Sequence, residues 1–149
     1  MPLFSLQITA QGPMLTAFVG VSGARRSALV AAGQPVPDLV RIRALVDTGA
    51  DGTCLDPSVL SALALTPTGS VMVCTPSTGA SPQPKDQYDV GIAIPGGSQD
   101  HAPLIVANIA VLSAELKDLQ GIDGLIGRDI LALCLLSYNG PAGMFTLAY

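Results

Sequence analysis

Charge is what this chain has least of. Only 12% of its residues are Asp, Glu, Lys or Arg, against about a quarter in ordinary soluble domains, so its surface is close to neutral and part of it is expected to lie under a partner, which favours an oligomer. Basic residues are scarcer still: seven Lys plus Arg against eleven Asp plus Glu leave a net charge of −4. Arg25 and Arg26 are the sole close pair, with Arg41 and Arg43 alternating along an apolar run, and so sparse a set argues against nucleic acid as a partner. The three cysteines, Cys54, Cys74 and Cys134, are odd in number and show no C-x-x-C spacing. Neither a disulfide framework nor a zinc site is expected, and a reducing, cytoplasmic setting is the simplest reading. No stretch reaches the roughly 18 uncharged apolar residues of a membrane span, and the start, MPLFSLQITAQGPML, has no basic opening before a continuous apolar region. Neither a membrane segment nor an export signal is read there. With one histidine, His101, and no G-x-S-x-G context, a Ser-His-Asp site is set aside.

What remains is 149 residues, 49% of them apolar, enough for one domain with one core. The pattern is β from the start. Residues 3–10 and 13–22 are rich in β-formers and separated by Gly12 and Pro13, which predicts a hairpin. Residues 23–38 read as a short helix through Ala32 closed by Gly33, or equally as a strand. Residues 39–46, LVRIRALV, alternate apolar and basic before becoming wholly apolar, as a strand does on passing into an interior. Asp56 followed by Pro57 is a strong helix start, a capping carboxylate before the residue best tolerated at the first helical position. Residues 71–94 predict a long hairpin with a turn-rich tip, 103–112 a buried strand, and 113–121 a short helix opened by Ser113 and closed by Gly121. A strand, a glycine turn, a helix and two further strands complete the chain.

The chemistry centres on Asp47, which ends the apolar run Ala44-Leu45-Val46. Thr48 offers a hydroxyl and Gly49 lets the backbone come close, so a D-T-G loop after such a strand can hold a carboxylate at the base of a cleft. A single buried carboxylate is pushed toward its neutral form. Two a few ångströms apart behave otherwise: one ionises early and the other keeps its proton, so that the pair can deprotonate water while protonating a carbonyl oxygen. Cys54, seven residues on, reads as a small buried apolar residue, not a nucleophile.

ALVDTGAD followed about eighty positions later by GLIGRDIL resembles the retropepsin family, the proteases of retroviruses and their cellular and bacterial relatives, over roughly residues 39–139. The resemblance implies a mainly β fold, a closed acid-protease barrel with a few short helices and a flap hairpin, in one domain over 1–149 with residues 1–37 as an N-terminal extension. It makes Asp47 the catalytic aspartate, with Thr48, Gly49 and Ala50 completing its loop and Leu125, Ile126 and Gly127 lying against that loop. It also makes Asp51 and Arg128 a buried supporting ion pair, and leaves Asp129 as a helix-start charge and Asp123 as a turn residue. The flap tip would bring Thr75, Pro76, Ser77, Thr78 and Gly79 to the substrate. This tip has one glycine and a proline where viral enzymes are glycine-rich, which predicts a stiffer flap. Gly52 stands where some members carry a second acidic residue, so selectivity there does not transfer.

One D-T-G occurs in the chain. The second carboxylate must come from another copy, so the resemblance implies a homodimer with its site at the interface, and makes the C-terminal MFTLAY a candidate strand of an intersubunit sheet. The expected substrate is an extended peptide or protein with apolar residues beside the scissile bond, and no metal or other cofactor is required. The alternative is a catalytically idle peptide-binding or assembly module on the same fold.

Overall fold

The computed structural model describes residues 1–75, 78–98 and 100–149. Its elements in chain order are β1 (Leu3–Gln7), β2 (Met14–Val21), α1 (Gly23–Ala31), β3 (Val40–Val46), β4 (Cys54–Leu55), α2 (Pro57–Ala62), β5 (Gly69–Val73), β6 (Gln83–Ile94), β7 (Leu104–Ser113), α3 (Lys117–Gln120), β8 (Gly124–Ile126), α4 (Arg128–Leu131), β9 (Leu135–Asn139) and β10 (Met144–Ala148).

Strands β2-β3-β8-β4-β7-β6 pair in that order, and β2 pairs again with β6, which closes a six-stranded barrel with β5 as an appendage on β6. Period-two alternation builds its interior. Leu15, Ala17 and Val19 of β2, Ile42, Ala44 and Val46 of β3, and Val90, Ile92 and Ile94 of β6 are all buried in one cluster, while the intervening Arg41 and Arg43 stay outside. Each Val, Leu or Ile of this set contributes roughly 1.5–3 kcal/mol on burial, and together they set the register that carries Asp47 to the end of β3.

Helix α1 resolves the open reading of residues 23–38. The Ser22 hydroxyl accepts the Arg25 N–H at 3.2 Å, and Gly33 ends the segment at a φ of +64°. Asp56 caps α2 by accepting the Ser58 N–H at 3.0 Å, with Pro57 at the first position. Helix α3 is shorter than expected: Ser113 belongs to β7, and the helix starts only at Lys117. The reason lies far away in sequence, because the other oxygen of Asp56 accepts the N–H groups of Leu116 and Lys117 at 3.0 and 2.8 Å and thereby caps a second helix.

The expected N-terminal hairpin does not form. A tight turn joins Thr9 to Gly12 through reciprocal 2.9 Å backbone bonds, but β1 pairs with β10 and β2 with β3 and β6. The outcome is a separate three-stranded sheet, β1-β10-β9, against the barrel. The flap hairpin is also shorter than residues 71–94. Strands β5 and β6 pair from Gly69↔Gln87 to Val73↔Gln83, and beyond Gln87 strand β6 belongs to the barrel, pairing with β7 and β2.

Candidate active site

Strand β8 lies between β3 and β4, parallel to the first and antiparallel to the second. The loop 47–53 that joins β3 to β4 must therefore pass over the end of β8. It is tied there at its start and its middle: the Asp47 N–H donates to the Ile126 carbonyl at 3.0 Å, and the Arg128 N–H donates to the Ala50 carbonyl at 2.9 Å. Gly127 lets the two segments meet, since a Cβ on it would fall 2.5 Å from the Gly52 carbonyl carbon and 2.9 Å from the Thr53 nitrogen. No other residue fits without moving backbone.

Within this loop the Asp47 carboxylate is half-buried and accepts the Gly49 N–H at 2.9 Å. Thr48 and Gly49 are exposed, and Ala50 is half-buried. The backbone is held more firmly by a residue that sequence reasoning left as a helix-start charge. Asp129 accepts the Thr53 N–H and hydroxyl, both at 2.8 Å, as well as the Ile130 N–H at 2.8 Å. The oxygen of that buried Thr53 hydroxyl in turn accepts the Gly127 N–H at 3.1 Å. This closes a ring from Asp129 of α4 through Thr53 back to Gly127 at that helix's start, and no local pattern in the sequence announces it.

Asp51 and Arg128 do pair, but not as a buried pair: their side chains are 89% and 59% exposed in the single chain. The loop that carries Asp51 faces outward, where water screens both charges.

A cleft of about 710 Å³ opens above Asp47. Its floor is Asp47, Gly49, Ala50, Asp51, Gly52, Cys54, Leu112 and Leu125, and its roof is Val71, Met72, Val73, Cys74 and Thr75. Of the expected flap residues, Thr75 alone is among the lining residues; Thr78 and Gly79 are not, and Pro76 and Ser77 lie outside the described residues. It is the strand side of the hairpin that faces Asp47, so the roof residues Val71 to Cys74 were missed. The β-pattern marked them as a strand, but which edge of it covers the cleft follows only from how β6 leaves the barrel. The tip folds on itself, with the Thr75 N–H donating to the Thr78 hydroxyl at 2.9 Å and the Gly79 N–H to the Thr75 carbonyl at 3.1 Å.

Burial, then the charges of Asp129 and Asp47, push the Cys54 thiol up. It stays protonated at neutral pH and is a poor nucleophile. Among the described residues no group of three His, Cys, Asp or Glu side chains gathers in a metal-binding arrangement.

The aspartyl protease family model matches residues 27–130, more than half of the chain. The chain belongs to the aspartyl protease family. No curated protein sequence matches it. Among solved structures it is similar to a retropepsin-like aspartic protease from Rickettsia conorii, at 17% identity and a TM-score of 0.60, over 97% of this chain and 89% of that one. At that identity the likeness bears on fold, and the fold is retropepsin-like. Family and fold together support an aspartic protease function. No helix among the described residues is long and apolar enough to cross a membrane.

Proposed function

We propose that this aspartyl protease family member is an endopeptidase that works as a two-fold homodimer, with one Asp47 from each copy. The observation that carries the reading is the position of Asp47: a carboxylate at the floor of a largely apolar cleft, on a loop pinned by Ile126 and Arg128, with one N–H upon it among the described residues. Much of its hydrogen-bonding capacity is left for a water and a partner carboxylate.

In the dyad the like charges share one proton. The ionised Asp47 takes a proton from the bound water, whose oxygen attacks the scissile carbonyl carbon. The protonated Asp47 of the other copy donates to the carbonyl oxygen, giving a neutral tetrahedral diol. Collapse returns a proton to the amide nitrogen, which leaves as the amine. The peptide lies extended under β5, which pairs with β6 alone among the described residues, so that backbone pairing gives affinity and alternate side chains meet Val71, Val73, Leu112 and Leu125. Thr48, Gly49 and Ala50 shape the loop, and Leu125 and Ile126 of β8, with Gly127 just after it, support it. The Asp51–Arg128 pair braces the exposed side.

A second reading, peptide binding without turnover, is favoured by the hydroxyl-tied flap tip. One experiment separates them: unstructured protein is incubated with the chain and with Asp47→Asn from acidic to neutral pH, and products are read by mass spectrometry beside the assembly mass. Cuts lost in the variant while its mass is unchanged are expected. Cuts retained by Asp47→Asn would sink the assignment, and no cuts from a dimeric wild type would favour the binding module.

A further inference from the structure

The register of five strands lays one row of residues across the floor of the cleft and beyond it. Leu125 of β8 stands opposite Cys54 of β4, Cys54 opposite Leu112 of β7, Leu112 opposite Gln87 of β6, and Gln87 opposite Gly69 of β5. Leu125, Cys54 and Leu112 line the cleft, and residues opposite one another in a sheet share a face, so Gln87 continues that floor. Residues two apart along a strand share a face as well. Lys85 therefore follows Gln87 on the cleft side, directly opposite Val71, which belongs to the roof.

A cation in this place is set apart from the rest of a sparse set. Arg25 and Arg26 lie on α1, Arg41 and Arg43 stay outside on β3, Lys117 pairs with Asp123 at 4.0 Å, and Arg128 pairs with Asp51. Among the described residues no carboxylate pairs with Lys85. Asp86 and Glu115 border the same shallow hollow beside the cleft, but neither closes an ion pair with it. Lys85 is half-buried, and a lysine so placed lays its stem along the sheet and keeps its ammonium in water. Its field reaches the cleft floor: the Cys54 thiol, pushed up by burial and then by Asp129 and Asp47, is drawn partly back down by Lys85. Among the described residues that line the cleft, the charged ones are Asp47 and Asp51. An acidic group on a bound peptide is therefore repelled along the floor and attracted only toward β6.

We propose that Lys85 is a specificity-determining residue, whose ammonium pairs with an Asp or Glu side chain of the bound peptide while the Gln87 carboxamide donates beside it. Two strand spacings separate β6 from β4, about 10 Å at roughly 4.8 Å each, a distance that an extended peptide covers in about three residues. The acidic residue is expected about two to four positions from the scissile bond. Two-fold symmetry brings one Lys85 to each end of the site, so the preference falls on both sides of the cut. The inference rests on the endopeptidase reading above and adds the charge of its substrate.

The test aligns the cuts that the full chain makes in unstructured protein, for the wild type, Lys85→Gln and Lys85→Glu. Acidic residues are expected to be enriched at that spacing with the wild type, to lose their enrichment with Lys85→Gln, and to give way to Lys and Arg with Lys85→Glu. Matched peptides that differ only by Glu against Gln there should differ about fivefold in kcat/KM, mostly through KM, for a charge pair still partly in water. No acidic enrichment in the wild type, or one unchanged by Lys85→Glu, would overturn the proposal. The same preference is read without turnover by capturing short random peptides on Asp47→Asn and on the double variant Asp47→Asn, Lys85→Glu. Arg25→Glu on α1, added to Asp47→Asn, controls for net charge. Acid-rich capture reversed by Lys85→Glu and untouched by Arg25→Glu is expected. An equal response to both would reduce Lys85 to a share of the overall charge and overturn the proposal, whereas cuts retained by Asp47→Asn would overturn the endopeptidase reading alone.

Discussion

Asp47 and Asp56 stand nine positions apart, each just after a strand, and the fold treats them in opposite ways. Asp56 is 5% exposed and receives four donors: the Ser58 N–H and hydroxyl on one oxygen, and the Leu116 and Lys117 N–H groups on the other. Burial by itself would raise its carboxyl, but the Ser58 hydroxyl and the N–H groups of Lys117, Ser58 and Leu116 outweigh it and bring the carboxyl down to about 2. Asp47 is more open and receives one N–H from its own loop. Saturating a carboxylate with donors makes it a structural clamp that stays ionised. Leaving one with a single donor at the floor of a cleft keeps most of its acceptor capacity open, which is what the proposed function uses. Asp129, with three donors, belongs with Asp56.

The comparison breaks most visibly through Asp47→Asn. Cleavage should fall on the order of 10³-fold or more, as loss of a general acid–base group does, while the denaturant midpoint barely moves. Asp56→Ala should do the reverse, lowering stability by about 3 kcal/mol because buried N–H groups of two helices lose their acceptor; a shift near zero in urea unfolding would refute the clamp.

Acid titrates the same contrast. Because the folded Asp56 carboxyl sits near 2 and the ordinary value is 3.8, the unfolded chain binds the proton first, so the contribution of Asp56 is full well above pH 3.8 and is lost as pH falls through about 2. Unfolding followed at successive pH values should show that loss in the wild type and a flatter profile in Asp56→Ala. Thr53→Val should cost about 2 kcal/mol by stranding the Gly127 N–H and part of Asp129, and Thr53→Ser should restore most of it. The smallest effect is expected from Arg128→Ala, less than about 1 kcal/mol on the single chain for a pair this exposed. A larger loss that grows with protein concentration would mean that assembly covers the pair.

Several features were legible before any coordinates. Asp56-Pro57 marks the start of α2, alternation marks β6, and the apolar run into D-T-G, joined to L-I-G-R-D, marks both the fold and the loop. Other features were not. Nothing near Leu3 says that it pairs with Ala148, nothing near Leu116 says that its N–H goes to Asp56, and Asp129 looks like an ordinary first-turn acid until Thr53 is brought to it.

The physical reason is range. Capping, turn chemistry and period-two burial are settled among residues a few positions apart, so the sequence by itself determined where strands and short helices fall, that Asp47 would end an apolar strand, and that charge would be scarce. Which strands share a sheet and which carboxylate is saturated depend on contacts between distant segments, 145 residues apart for Leu3 and Ala148 and 60 for Asp56 and Leu116, and which side of the hairpin roofs the cleft depends on how β6 pairs with β7 and β2. Those contacts exist only once the barrel has closed, and the tertiary structure alone decided them.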